Sequence, residues 1–299
     1  MKRLFLLVCL AAGLPIIGNN IFDALDEQMV KADSLVCVGL DPDISKLPLS
    51  IIDQTLSPEE NIYKFLVEVI DITAPHACSF KLQKAFYDKC DRGHWLLKKT
   101  VTYIHERYPG IPVWVDCKIG DVDNTMKAYM DLLFDDIGAD GVVINPYMGD
   151  DVLAPFLNDA KKTSIVLVQT SNQNAKVVQE LLLANGRMLW EEILSTVLNR
   201  WNCNKNLIVV LSSNTFKYDY KFIRQQIPQD VPILLAGVGQ QGGDPRALKD
   251  LLNDKKRGVF VNSSRGILYP YDQSDKEWRS AILRAVIDLK NTLNFVRDR

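Results

Sequence analysis

An Asp, a Lys and a second Asp stand at spacing D-x-K-x-x-D in Asp116-Cys117-Lys118-Ile119-Gly120-Asp121, directly after the apolar run Val113-Trp114-Val115. The run has the character of a buried strand. Residues two apart on a strand face the same way, so Asp116 and Lys118 share a face. Ionised groups at the end of a buried strand are costly unless they are paired or used. A plain salt bridge would account for this pair, but a second lysine weighs against it. Lys81 lies between Phe80 and Leu82 in another apolar run, where a lysine is seldom structural unless paired. Asp41 and Asp116, at the ends of neighbouring strands, are its natural partners. The result is a charged cluster of Asp41, Lys81, Asp116 and Lys118 with Asp121 nearby, in which flanking carboxylates keep each lysine protonated. Apolar packing would stabilise a barrel better than such a network, so catalysis is the better explanation.

A second constellation lies near the end of the chain. Gly237-Val238-Gly239-Gln240-Gln241-Gly242-Gly243-Asp244 is followed by Pro245, and Asn262-Ser263-Ser264-Arg265-Gly266 comes after the next apolar run. Glycines let backbone N–H groups approach an anion, and a following helix adds its N-terminal field. Proline suits the first turn of that helix. Arg265 supplies a fixed cation whose fork matches phosphate oxygens. Together the two loops describe a phosphate site.

Both constellations need a scaffold that gathers strand ends. Eight β-rich runs occupy residues 35–40, 77–82, 112–117, 141–145, 164–169, 207–212, 232–237 and 258–263. They are nearly continuous apolar stretches, as expected of parallel strands covered on both faces. Helical patterns fill the intervals. Ser57-Pro58-Glu59-Glu60 is a capping box with Pro at the first helical position, followed by an apolar face of Ile62, Phe65, Leu66 and Val69. Val122, Met126, Tyr129, Met130, Leu133 and Ile137 form another such face after the D-x-K-x-x-D motif. Eightfold β-α alternation predicts an α/β fold, a single-domain (β/α)8 TIM barrel over residues 20–299. A doubly wound open sheet would call for a Gly-rich fingerprint after the first strand, and none is there. In a barrel the strand C-termini converge on one face. That face collects Asp41, Lys81, Asp116 and Lys118, the Thr170-Ser171-Asn172 turn and both glycine-containing loops.

Composition narrows the function classes. The 299 residues are 47% hydrophobic and 24% charged, with a net charge of −2, which leaves no electrostatic footprint for nucleic acid. The six Cys form no C-x-x-C pair and the three His have no ligand spacing, so neither a disulfide framework nor a zinc site is expected. Residues 1–19 are an apolar N-terminal extension. Met1-Lys2-Arg3 followed by the run from Leu4 to Ala12 has the form of a secretory signal, which conflicts with the reduced compartment that the cysteines suggest. The run is too short for a membrane span, and no stable membrane association is expected.

The motifs resemble those of the orotidine 5′-phosphate decarboxylases, in the longer form common in bacteria, from about Ile21 to Leu289. The resemblance rests on Val38-Gly39-Leu40-Asp41-Pro42-Asp43, Phe80-Lys81, Ala85-Phe86-Tyr87, Asp116-x-Lys118-x-x-Asp121-x-x-x-Thr125, Asn145-Pro146-Tyr147-Met148-Gly149, Thr170-Ser171-Asn172, Gly237-Val238-Gly239-x-Gln241-Gly242-Gly243 and Asn262-Ser263-Ser264-Arg265-Gly266-Ile267. It implies cofactor-independent decarboxylation of orotidine 5′-phosphate to UMP, with no metal. Lys118 would protonate C6, with Asp116 against the substrate carboxylate. Lys81 would position Asp116 and, with Asp41, hold the ribose hydroxyls. Ser171 would meet the pyrimidine edge, and Gln241, Gly242, Arg265 and Gly266 the phosphate. It also implies a homodimer in which Asp121 and Thr125 serve the partner's site, and a cytoplasmic enzyme, which favours an extension or an upstream start over export for residues 1–19.

Three departures stand out: Ala236 where the family usually has Pro, Gln173-Asn174 where it has Pro-Gly, and Ser212-Ser213-Asn214 where it has Gly-Ala-Thr. They bear on affinity more than on chemistry, because every charged position is kept. Two rival readings are a metal-dependent sugar-phosphate decarboxylase or aldolase on a related barrel, and a non-catalytic nucleotide-phosphate binding protein. The first needs an acidic metal ligand where Lys81 stands, and the second a broken charge array.

Overall fold

In the computed structural model, which describes residues 21–213, 218–238 and 246–299, the chain winds into a closed parallel barrel. Its strands are β1 (Val36–Gly39), β2 (Ser79–Gln83), β3 (Val113–Ile119), β4 (Gly141–Ile144), β5 (Thr163–Leu167), β6 (Leu207–Ser212), β7 (Ile233–Ala236) and β8 (Val259–Ser263). Each strand pairs with the next, and β8 closes onto β1. Every predicted run overlaps one of these strands, with β2, β3 and β5 reaching one or two residues past the predicted bounds, and closure excludes the open doubly wound sheet. All of β1 and β6 is buried, because helices cover the outside while side chains fill the lumen.

The floor of the lumen is aromatic. Trp114 and Phe260 meet there with ring centroids 6.0 Å apart. Gly141 makes room for them, since a Cβ at that position would stand 2.7 Å from the Trp114 ring. The lumen is therefore plugged beneath the strand C-termini.

The helix Pro58–Thr73 starts as its sequence predicts. Ser57 Oγ accepts the Glu60 N–H at 3.2 Å, and the Glu60 carboxylate accepts the Ser57 N–H at 2.9 Å. Such caps contribute about 1 kcal/mol. Ile62, Phe65, Leu66 and Val69 are all buried. The apolar face predicted after β3 is corrected at one end. Met126, Leu133 and Ile137 are buried, but Val122 is 55% exposed. Val122 is extended backbone ahead of the helix Asp123–Met130, so helical periodicity does not govern it. That helix runs on into a wider π-helical turn, Asp131–Asp136.

The helix Trp278–Asp298 clasps the barrel seam. It buries Trp278, Ile282, Val286 and Leu293. Lys290 Nζ donates to the Ala32 carbonyl at 2.7 Å, Asn294 Nδ2 to the Asp33 carbonyl at 2.8 Å, and Arg297 pairs with the Asp33 carboxylate at 3.0 Å. These bonds hold the turn between the helix Ile21–Ala32 and β1.

Candidate active site

A cavity of about 510 Å³ opens at the C-terminal ends of the strands. Its two walls differ in chemistry. One carries Asp41, Lys81, Asp116 and Lys118 from β1 to β3, and the other carries Val143, Leu167, Val210 and Leu234 from β4 to β7. Strand alternation explains part of each wall, because Asp116 lies two residues beyond Trp114 and Val143 two beyond Gly141, on the lumen face above the aromatic floor.

Asp116 is the hub. Lys81 Nζ lies 3.0 Å from its Oδ2 and Lys118 Nζ 2.6 Å from its Oδ1. Asp116 and Lys81 are 6% and 5% exposed, so both charges are out of bulk water. Burial alone would push the Asp116 carboxyl up. The charges of Lys81 and Lys118, with their hydrogen bonds, outweigh burial and hold it below the usual carboxylate range. Burial likewise works against the Lys81 ammonium, yet Asp116 first and Asp41 second raise it above the ordinary lysine value. Both groups therefore stay ionised at neutral pH.

Lys118 reaches Asp116 by a route that simple alternation misses. The β3–β4 register slips between Asp116 and Ile119, and Lys118 has φ of +49°. A bulge with a left-handed lysine costs local strain, of the kind found where a side chain is aimed for function. The Lys118 side chain is 43% exposed, facing the open cavity.

Asp41 lines the same wall, but the predicted chain of contacts is corrected here. Its charge supports Lys81 without an ion pair between them among the described residues. Asp41 Oδ1 is buried and accepts no hydrogen bond among the described residues. Its backbone is held by two tyrosines. Tyr87 Oη donates to the Leu40 carbonyl at 3.0 Å. Tyr269 Oη accepts the Asp43 N–H at 2.7 Å and donates to the Asp41 carbonyl at 3.2 Å. Tyr269, Asp43, Lys46 and Phe86 also line the cavity, and sequence reasoning gave none of them a role. Tyr269 belongs to a contact that spans 226 positions, which no local pattern reveals.

Ser171, Arg265 and Gly266 border the cavity as expected. The Thr170-Ser171-Asn172 turn, which Gln173-Asn174 follow in place of Pro-Gly, is held by side-chain hydrogen bonds. Gln179 accepts the Thr170 N–H at 3.0 Å and donates to Thr170 Oγ1 at 2.8 Å, and Thr170 Oγ1 donates to Asn172 at 2.7 Å. Gln241 and Gly242 lie outside the described residues, as does Asn214. Asp121 and Thr125 do not join the cavity of their own chain. The Asp121 carboxylate accepts the Val122 N–H at 2.7 Å, and Thr125 sits on the helix Asp123–Met130. Among the described residues no group of three or more His, Cys, Asp or Glu side chains is placed to hold a metal ion.

Residues 34–277 match the family described as Orotidine 5′-phosphate decarboxylase / HUMPS family. A protein of Cupriavidus metallidurans named orotidine 5′-phosphate decarboxylase is 37% identical over 276 residues, covering 92% of this chain and 98% of its own. A protein of the same name from Haloarcula marismortui is 37% identical over 288 residues, covering 93% and 100%. Among solved structures, OMP decarboxylase of Leishmania donovani is similar with a TM-score of 0.76 and 26% identity, over 94% of this chain and 100% of that one.

Proposed function

Since the chain belongs to the orotidine 5′-phosphate decarboxylase / HUMPS family, we propose that it decarboxylates orotidine 5′-phosphate to UMP and CO2 in pyrimidine biosynthesis, without cofactor or metal. One observation carries the reading: a buried carboxylate, Asp116, held between two ammonium groups at 3.0 and 2.6 Å in a cavity whose opposite wall is apolar. The substrate's carboxylate sits against Asp116. When the C6–carboxylate bond breaks, CO2 leaves toward the apolar wall and the electron pair stays on C6. Lys118 then gives C6 its proton. The preorganised Lys81–Asp116–Lys118 array stabilises the developing charge with little reorganisation. Lys118 recovers its proton from water, to which its side chain is open. Lys81 orients Asp116 and, with Asp41, binds the ribose hydroxyls. Ser171 meets the pyrimidine edge. Arg265 and Gly266, with Gln241 and Gly242, bind the phosphate, and this remote binding energy is used to raise the rate at C6.

The sugar-phosphate reading is disfavoured because Lys81 stands where a metal-binding relative would carry an acidic ligand, and a cation there repels a divalent ion. A spectrophotometric assay with orotidine 5′-phosphate, with and without chelator, tests the proposal. Turnover should be equal in both. Loss of activity in chelator, restored by Mg²⁺, would defeat it.

The active unit in this reading is a homodimer, with Asp121 and Thr125 completing the partner's site. The support is that neither lines its own chain's cavity, and that the neighbouring loops expose Val122, Tyr147 and Met148 at 55%, 84% and 42%. Refolding Lys118→Ala and Asp121→Ala chains together should restore about a quarter of wild-type activity, because half the dimers are mixed and each has one intact site. Mixed dimers with no activity would refute sharing. The expected compartment is the cytoplasm, with residues 20–299 as the catalytic domain. The support is that the five described cysteines are all free thiols. Fractionation with N-terminal sequencing of the native protein checks it, and a processed form in an exported fraction would overturn it.

A further inference from the structure

Arg265 opens a short helical turn, Arg265–Leu268, that follows β8, and Tyr269 closes it. The Tyr269 N–H bonds the Arg265 carbonyl at 3.1 Å, and the Leu268 N–H bonds the Ser264 carbonyl at 2.9 Å. Ile267 and Leu268 are buried beneath. The turn is thus one stiff piece with a cation at its start and a phenol at its end. That phenol reaches across the seam between β8 and β1. Tyr269 Oη accepts the Asp43 N–H at 2.7 Å and donates to the Asp41 carbonyl at 3.2 Å. Its ring stacks on Phe65, with centroids 5.9 Å apart. Burial raises the Tyr269 phenol above its ordinary value, so the hydroxyl keeps the proton it donates.

Asp41 depends on such a hold. Its carboxylate makes no ion pair among the described residues, and its buried Oδ1 accepts no hydrogen bond there. With so little fixing the carboxylate itself, its aim follows from the main chain on either side. Two hydroxyls grip that main chain. Tyr87 holds the Leu40 carbonyl at 3.0 Å, and Tyr269 bridges Asp41 and Asp43. Of the two, Tyr269 is the one built into the turn that carries Arg265. Asp41 in turn supports the Lys81 ammonium by its charge, and Lys81 holds Asp116 at 3.0 Å. A continuous set of contacts therefore leads from the phosphate cation to the charged array.

We propose that Tyr269 is a positioning residue for the decarboxylation: a phosphate held by Arg265 steadies the turn Arg265–Leu268, and the Tyr269 hydroxyl passes that hold to Asp41 and so to the array. This rests on the decarboxylase reading above and deepens it, because it gives the remote phosphate a route by which its binding energy reaches C6. Tyr269 acts through the Asp41 main chain rather than on the reacting atoms.

The test sets Tyr269→Phe beside Tyr87→Phe, each alone and combined with Arg265→Ala, with unfolding midpoints to verify the fold. Both substitutions take one hydroxyl from the same segment, and Tyr269→Phe keeps the ring that stacks on Phe65. Tyr269→Phe should lose about tenfold in kcat/KM for orotidine 5′-phosphate, as expected for a lost hydrogen bond at a buried site. In the Arg265→Ala background that loss should nearly vanish, whereas the loss from Tyr87→Phe should multiply with that from Arg265→Ala. Multiplicative losses for both tyrosines would overturn the proposal, since Tyr269 would then merely prop the segment. A second measurement needs no variant of Tyr269. Hydrogen exchange at the Asp43 amide, with inorganic phosphate as the probe, should slow several-fold in wild type and not in Arg265→Ala. Slowing confined to residues 265–268, or none with phosphate, would also overturn it. A wild-type enzyme that does not turn over orotidine 5′-phosphate, while phosphate still slows the Asp43 amide, would defeat the decarboxylase reading and leave the link through Tyr269 standing.

Discussion

Replacing Lys81 by Met should destabilise the barrel by an amount that depends on pH in a direction the geometry fixes. Methionine fills the same space but leaves Asp116 in place. The side chains of Lys81 and Asp116 are 6% and 9% exposed, so the pair is a buried one. Removing one partner of a buried pair typically costs about 3–5 kcal/mol. Lys118 remains at 2.6 Å from the other Asp116 oxygen, but its side chain is 43% exposed and solvent screens it. The lower end, about 3 kcal/mol at pH 8, is therefore expected. For a chain of this size that is a fall in Tm of roughly 6 °C.

In the wild type, Asp116 is held below its usual range. Its contribution is present above the unfolded carboxylate value and is lost as pH falls through the depressed folded one. Without Lys81, burial dominates and the folded value rises above the unfolded one. The penalty in Lys81→Met is then fully developed only above that raised value, and shrinks as pH falls toward 4 and Asp116 takes up a proton. Urea unfolding of both proteins from pH 4 to pH 8, at fixed protein concentration, measures this. Adding Asp116→Asn should recover most of the stability and none of the activity. A difference between wild type and Lys81→Met that stays level across the range, or a variant as stable as wild type at pH 8, would refute the electrostatic account of the array.

Lys118→Ala should lose nearly all turnover while KM changes little, because its proton is needed where charge develops; a variant retaining more than about a tenth of wild-type kcat would remove it from that role. Arg265→Ala should raise KM strongly for the nucleotide and leave the phosphate-free nucleoside almost unaffected, and equal losses for both would place Arg265 outside the phosphate site. His105 Nε2 lies 3.0 Å from Asp140, which also accepts the Val113 N–H at 2.8 Å where β3 begins. Burial opposes the imidazolium, but Asp140 outweighs it and raises the His105 value. The stability margin of wild type over His105→Gln should therefore be full below the usual histidine value of about 6.5 and decline as pH rises through the raised one. A margin that grows with pH would contradict the pairing.

The barrel was readable because parallel strands with both faces covered are written as apolar runs, and because Lys81 and Asp116 are charges that such runs do not tolerate idly. What escaped the sequence depends on breaks in regularity or on distance along the chain. Two-residue alternation brings Lys118 to the correct face, but the bulge and left-handed backbone that place it have no local mark, since lysine is not a residue that signals φ > 0. Val122 looked like the first apolar position of a helix and is instead its exposed lead-in. Asp41 was expected to touch Lys81 directly, yet strand order fixes neighbours and not side-chain reach. Tyr269 acts across the β8–β1 closure, from more than two hundred positions away, and only the closed barrel brings it to Asp41.

The clasp between the helix Trp278–Asp298 and the turn at Asp33 has a consequence for how the chain is made. Asn294 and Asp33 are 261 positions apart. At about 5–20 residues per second, a ribosome needs roughly 13–50 s to add the second partner after the first. For most of that interval, from the synthesis of β2 to that of β8, β1 has β2 on one side and nothing on the other, with the Val36-Cys37-Val38 edge that β8 will later cover still open. An apolar strand edge left unpaired for tens of seconds is a template for pairing with other nascent chains. Yield in the cell should therefore respond to elongation rate and to chaperones that shield strand edges. A permuted gene that begins near β8, so that the seam forms early in synthesis, should depend on them less.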